Sequence, residues 1–292
     1  LGRMLKSRGL AGVVRGRGLI NGVEFGDPEL AGKVSRECFQ RGLVIETAGV
    51  DDQVLKLLPS LTIGEEDLAK GLDIIETSVA AVLDAGLTLG LPPMLTAATG
   101  LDALTHAMEV LALPNANDFS LAQVLYAAQS VVANLPKAVA NGRDIDARQA
   151  LLNASAMACS GLANNLGAAP VHNISHAVGA LFHIHHGEAN AVLLPICIEQ
   201  LPEFYAPTAA RLAEAVGVDG QGAAGDVLAR VVERLRRLLR DCNHPLDYAR
   251  HQLDPNRCEE LVAAVLNDPL AALYPLPAER VVAIARAACA WN

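Results

Sequence analysis

The rhythm of apolar positions changes along this chain and divides it near residue 83. Before that point apolar runs are short, glycines are frequent and charges are dense. VVRGRGLINGVEF carries two short β-like pieces around glycines, and LVIETA and VLKLLPSLTI each read as a short apolar strand. DPELAGKVSRECFQRG predicts a helix with Asp27 as cap, Pro28 at its first position and Gly42 as terminator. Thr62, with Glu65 and Glu66 after it, opens DLAKGLDIIETSVAAVL, whose apolar residues fall at helical spacing. Strand–helix–strand–strand–helix order describes a small α/β-type unit.

From residue 84 onward only the helical rhythm is left. Pro92 and Pro93 break the chain before an apolar helix that contains Asp102 and His106. A helix over Asn117–Ala133 is capped by Asn117 or Asp118, and Asp146 opens another that runs through Met157. A further helix starts near Pro170 and carries His172 and His176 on one face. PEFYAPTAARLAEAVGV, GDVLARVVERLRRLLRDC and ERVVAIARAACAW are amphipathic helices, and the arginines within 235–240 read as a solvated face. The expected fold class is therefore α+β: a small N-terminal unit over 1–83, then an all-α domain over 84–292.

Composition narrows the chemistry. At 292 residues the length suggests about two domains, and the 52% hydrophobic content supplies ample core. A net charge of −9 and a pI near 5.4 argue against a nucleic-acid partner. No apolar run has the length of a membrane span, and nothing resembles a secretory signal. The six cysteines are scattered without a CxxC pair, as expected of reduced thiols in a cytoplasmic protein. The chain opens on Leu1, as a fragment or a processed chain would.

The histidines change the picture most. Six of the eight lie between His106 and His186, in segments that give no packing reason for collecting imidazoles. Asp102 and His106 are four apart, which in a helix puts both side chains on one face a turn apart. His172 and His176 repeat that offset, and His186 stands just before Gly187, a residue suited to a helix end or to a loop whose backbone approaches a ligand. One carboxylate and three imidazoles make an N3O set suited to Fe2+ or Zn2+, with room for a water or a substrate oxygen. Spacing alone leaves open that these are satisfied core residues, with Asp102 bonded to Thr105 or to the backbone.

AATGLDALTHAMEV and HNISHAVGALFHIHHGEANAVLLP together resemble the two signatures of the iron-containing (group III) alcohol dehydrogenases. The resemblance spans about residues 84–292, the helical C-terminal domain of that family. It implies that Asp102, His106, His172 and His186 bind the metal and that catalytic His176 lies beside the substrate in proton transfer. It also implies a small alcohol or carbonyl substrate, NAD(P) as hydride acceptor and a possible homodimer. The family usually has Pro before the last ligand, where this chain has His185, so ligation shifted to His185 stays open.

Residues 1–82 resemble a different family. VRGRGLINGVEF, ELAGKVSRECFQRGLVIETAG and VLKLLPSLTIGEEDLAKGLDIIETSV are similar to the C-terminal small domain of class III aminotransferases of the diaminobutyrate–2-oxoglutarate type. None of the five lysines stands in that family's Schiff-base context, so pyridoxal phosphate is not an expected cofactor. Gly16–Gly22 imitates a dinucleotide loop but precedes a strand instead of opening a helix. The nucleotide-binding domain of the dehydrogenases is thus not found, and the halves meet near SVAAVLDAGLTLG as in a fusion. Three functions remain: a metal-dependent dehydrogenase domain, an aminotransferase fragment, and a non-catalytic metal-binding helical protein.

Overall fold

The computed structural model describes residues 12–25, 28–81, 85–165 and 167–291. It divides into two compact units, Leu1–Leu87 and Thr88–Asn292. The α+β class expected from the apolar rhythm is the class observed.

The first unit is a four-stranded antiparallel sheet with two helices. Its strands are β1 (Gly12–Arg17), β2 (Ile20–Phe25), β3 (Glu46–Ala48) and β4 (Val54–Leu57), in the order β1-β2-β4-β3. Val14 pairs with Val23, Val23 with Leu55, and Leu55 with Thr47. Alternation places Val23 and Phe25 of β2 on one face, where they meet Leu30, Val34 and Cys38 of helix α1 (Pro28–Gln40). Ile75 and Val79 of helix α2 (Glu65–Ala81) complete this core. The glycines that imitate a nucleotide loop belong to the β1–β2 hairpin, Gly16 and Gly22 in its strands and Gly18 in its turn at φ +63°, where Asn21 donates from its side chain to the Gly18 carbonyl at 2.8 Å. Both strands expected beyond the turn are shorter than LVIETA and VLKLLPSLTI, because 43–45 make no ladder and Pro59 cannot donate to one. The Asp27 cap falls outside the described residues, as does part of the SVAAVLDAGLTLG junction.

The second unit is helical throughout. Helix α3 (Pro93–Ala112) starts at a proline, whose missing N–H is one the first turn leaves unpaired anyway. Helix α4 (Asp118–Ala140) is capped by Asn117, whose side chain accepts the Ser120 N–H at 2.9 Å. It runs on past Ala133 and through Pro136, a residue that costs about 3 kcal/mol inside a helix, because Leu135, Ala138 and Val139 are buried there. Helix α5 (Ile145–Asn165) starts one residue before Asp146; the cap is Asp144, which accepts the Ala147 N–H at 3.0 Å. Helix α6 (Pro170–Phe182) ends where His183 turns left-handed at φ 57°.

Helix α7 (His186–Gln200) is the hub, with every residue from Gly187 to Ile198 buried. Gly187 is needed there for a reason the sequence did not show. A Cβ at this position would lie 2.4 Å from the Ala98 carbonyl oxygen, so the close approach is to α3 and not to a ligand. Helices α9 (Ala224–Asp241) and α11 (Ala278–Cys289) pack against the hub, while α8 (Ala209–Val216) packs on α9, α4 and α3, and α10 (Cys258–Asn267) on α6 and α11. PEFYAPTAARLAEAVGV is not one helix: a single turn at Pro202–Tyr205 and a 3-10 turn at Ala206–Thr208 precede α8. On α9, Val227, Val231, Leu235 and Leu238 face the core, while Arg236 and Arg240 pair with Glu199 and Glu233 on the exposed side.

Candidate metal centre

Three helices bring the chemistry together. Helix α3 presents Asp102, His106 and Glu109, spaced four and three apart. Helix α6 presents His172 in its first turn and His176 one turn on, and α7 starts at His186 with Asn190 a turn beyond. The near-contact of α3 and α7 at Gly187 sets Asp102 against His186.

Asp102, His172 and His186 converge: one ligand atom from each lies within 4.8 Å of the other two. Asp102 Oδ1 is 3.5 Å from His186 Nε2 and 3.8 Å from His172 Nε2. Bonds of about 2.0–2.1 Å to a tetrahedral ion would set neighbouring ligand atoms roughly 3.3–3.4 Å apart, so the set fits a divalent cation after small adjustments. The Asn190 side-chain nitrogen lies 2.6 Å from Asp102 Oδ1, 3.1 Å from His172 Nε2 and 3.0 Å from His186 Nε2. An amide nitrogen only donates, and its two hydrogens can serve two of these three atoms, which are grouped around one point as a cation would require of them. Asn190 Oδ1 is buried without a hydrogen-bond partner.

His106 stands differently. Its ring stacks on that of His172, with centroids 4.6 Å apart, and its Nδ1 lies 3.8 Å from Cys159 Sγ on α5. It therefore borders the convergent trio without joining it. His186, and not the exposed His185, faces Asp102. His183 is exposed at the end of α6. His176 is exposed, its ring 5.7 Å from that of His186, and its Nδ1 donates to Asp268 Oδ2 at 3.1 Å. Asp268 is itself held in place, because its other oxygen accepts the Leu270 N–H at 2.8 Å.

The imidazoles do not share one protonation behaviour. Burial, with His172 close by, lowers the pKa of His106; burial and the neighbouring histidines lower that of His186, with Asp102 opposing in both cases. Burial also works to lower His172, but the Glu109 carboxylate, by charge and hydrogen bond, and Asp102 bring it above its ordinary value. Neutral imidazoles with free lone pairs are what a metal needs, and His106 and His186 are biased that way.

Sequence reasoning passed over three of these residues. Glu109, Asn190 and Asp268 all contact predicted histidines. Glu109 and Asn190 were within reach of the helical spacing rule, at three after His106 and four after His186. Asp268 is 92 residues from His176, and no local signal connects the two.

A helical unit that turns one carboxylate and two imidazoles toward one point, with a further His–Asp pair beside them, has a ligand set that could hold a metal ion. The kind of protein follows from comparison with known proteins. The model of the Fe-containing alcohol dehydrogenase family, C-terminal, matches residues 96–289, more than half of the chain, and the chain belongs to that family. Long-chain-alcohol dehydrogenase 1 of Geobacillus thermodenitrificans is 38% identical over 200 residues, which are 68% of this chain and 50% of that protein. The crystal structure of a 1,3-propanediol oxidoreductase superposes with a TM-score of 0.62 at 31% identity, covering 70% of this chain and 54% of the other. Diaminobutyrate–2-oxoglutarate transaminase of Bordetella parapertussis is 61% identical over 71 residues, 24% of this chain and 16% of that protein. The chain thus spans half or less of the length of these two curated relatives.

Proposed function

We propose that the helical unit, residues 84–292 by the sequence boundary, is the metal-bearing part of an NAD(P)-dependent alcohol dehydrogenase. It interconverts a small alcohol with its aldehyde or ketone. Asp102, His106, His172 and His186 hold one Fe2+ or Zn2+ ion. The observation that carries this reading is the convergence of Asp102, His172 and His186 on one point. His106, which borders the trio with its ring stacked on His172, would turn in as the fourth ligand from the same face of α3, one turn after Asp102. When bound, the ion supplies Lewis-acid polarisation of the substrate oxygen.

The chain's own groups do the rest. Asp268 accepts the hydrogen bond of the His176 Nδ1–H and so holds the tautomer whose Nε2 is free to accept or return the hydroxyl proton at the exposed edge of the site. Acid–base help of this kind is worth about 10²–10⁴ in rate. The apolar faces of α3 and α7 keep bulk water from the buried side of the centre, where His172 is 5% exposed. The small unit, residues 1–83, is read as aminotransferase-like, and the support is a short match of 61% identity over 71 residues to the transaminase. Pyridoxal phosphate chemistry is not assigned to it. No helix among the described residues is long and apolar enough to cross a membrane.

The test is turnover. Metal-loaded protein is incubated with NAD(P) and alcohols from methanol to long-chain, and nicotinamide reduction is followed by absorbance. The expected result is reduction that His172→Ala abolishes together with metal binding, and that His176→Ala lowers with the metal retained. Bound metal without reduction of either nucleotide would leave a non-catalytic metal-binding protein.

A further inference from the structure

The geometry points to Glu109 as the positioning residue of this centre, a carboxylate that sets both the tautomer and the placement of His172. This rests on the reading of His172 as a ligand. Glu109 is wholly buried in α3, and no Lys or Arg pairs with it among the described residues. A buried carboxylate without a cation costs several kcal/mol unless donors surround it, and here the donors all come from one place. Its Oε1 accepts the backbone N–H of Val171 at 2.7 Å and that of His172 at 3.4 Å. Its Oε2 accepts from His172 Nδ1.

Helix α6 has no side-chain cap of its own: the residue before it is Ala169, and Pro170 at the first position has no N–H. The first free N–H groups are those of Val171 and His172, and Glu109 takes both. The positive end of the helix dipole favours the carboxylate there. One side chain from α3 therefore fixes where α6 begins and which way the His172 ring faces. Because a carboxylate accepts, the proton must sit on Nδ1, which leaves the Nε2 lone pair toward Asp102 and His186. Asn190 suits the same tautomer from the other side, since its amide nitrogen lies 3.1 Å from Nε2 and can donate to it.

A residue that merely capped α6 would give the same hydrogen bonds to the backbone, so the test separates the two roles. Glu109→Gln keeps an oxygen for the Val171 N–H but turns an NH2 group toward Nδ1. That group donates and drives the ring proton onto Nε2, where it blocks ligation. Zinc affinity is measured by competition with a chromophoric chelator, and the His172 tautomer by 15N NMR of the metal-free protein at a pH where its ring is neutral. The expected result is a 10- to 100-fold loss of zinc affinity in Glu109→Gln, with a cooperative thermal transition retained. The tautomer should be Nδ1–H in the wild type and shift toward Nε2–H in the variant. Wild-type zinc affinity in Glu109→Gln, or one tautomer in both proteins, would overturn the assignment. If the wild type binds no zinc, the metal reading fails by itself. The tautomer shift then decides Glu109 alone: its presence supports the positioning role, and its absence refutes it.

Discussion

Gly187→Ala sets two known effects against each other. Alanine is the better helix former, by about 1 kcal/mol in a helix interior and less in a first turn. Propensity alone would therefore stabilise the protein. At Gly187, however, the new Cβ would stand 2.4 Å from the Ala98 carbonyl oxygen and 2.8 Å from its carbon, against the backbone of a fully packed helix. An ordinary carbon–oxygen contact needs about 0.8 Å more, so α3 and α7 must move apart by roughly that amount at about 1–3 kcal/mol. The displacement acts on the 3.5 Å separation of Asp102 and His186, whereas metal ligands tolerate only about 0.2 Å. Gly225, also the second residue of its helix, has open space around it, so Gly225→Ala measures propensity alone. Denaturant unfolding and zinc titration of both variants form the assay. Gly187→Ala should be less stable by about 1–2 kcal/mol and bind zinc at least tenfold more weakly, while Gly225→Ala does neither. A Gly187→Ala protein at least as stable as wild type, with unchanged affinity, would refute the close-approach argument.

Two further predictions concern charge and thiols. Burial tends to raise the pKa of Glu188, but hydrogen bonds from His251 and Arg250 outweigh it and hold it below the usual 4.5. A depressed carboxylate contributes stability above its unfolded pKa and loses it as pH falls through the folded one. Glu188→Gln should therefore cost about 1–3 kcal/mol at pH 7, with the gap to wild type closing below pH 4.5 in unfolding curves. Burial pushes the Cys242 and Cys289 thiols up to about 12 and raises those of Cys38 and Cys197. The Cys159 thiol is raised too, so exposure decides: iodoacetamide on the native protein, read by mass spectrometry, should label the exposed Cys159 and partly exposed Cys258 and spare these four until unfolding. Labelling of Cys242 at the rate of Cys159 would contradict the packing.

How much was legible in the sequence depended on distance along the chain. The i, i+4 pairs Asp102–His106 and His172–His176 put their side chains on shared helix faces because the helical period is local. The division between a strand-bearing and a helical half was visible in the change of apolar rhythm. What could not be read was set by contacts between helices. Gly187 looked like a helix end or a ligand-binding turn, yet it is a contact with Ala98, 89 positions away in the chain but touching in space. His106 shares a face with Asp102, but its ring stacks on His172, because the approach of α3 to α6 decides where an imidazole can lie. Glu109 was in plain view within the quoted HAMEV stretch. Its value comes from the uncapped start of α6, which only the fold reveals.

The central claim is that Asp102, His106, His172 and His186 hold one metal ion. The most direct test is the metal content of protein purified without oxygen, measured for wild type and for His172→Ala. About one iron or zinc per chain, absent from the variant, is the result predicted, because removing an inner imidazole removes both a ligand and the group that Glu109 positions. No metal in either protein, or equal metal in both, would contradict it.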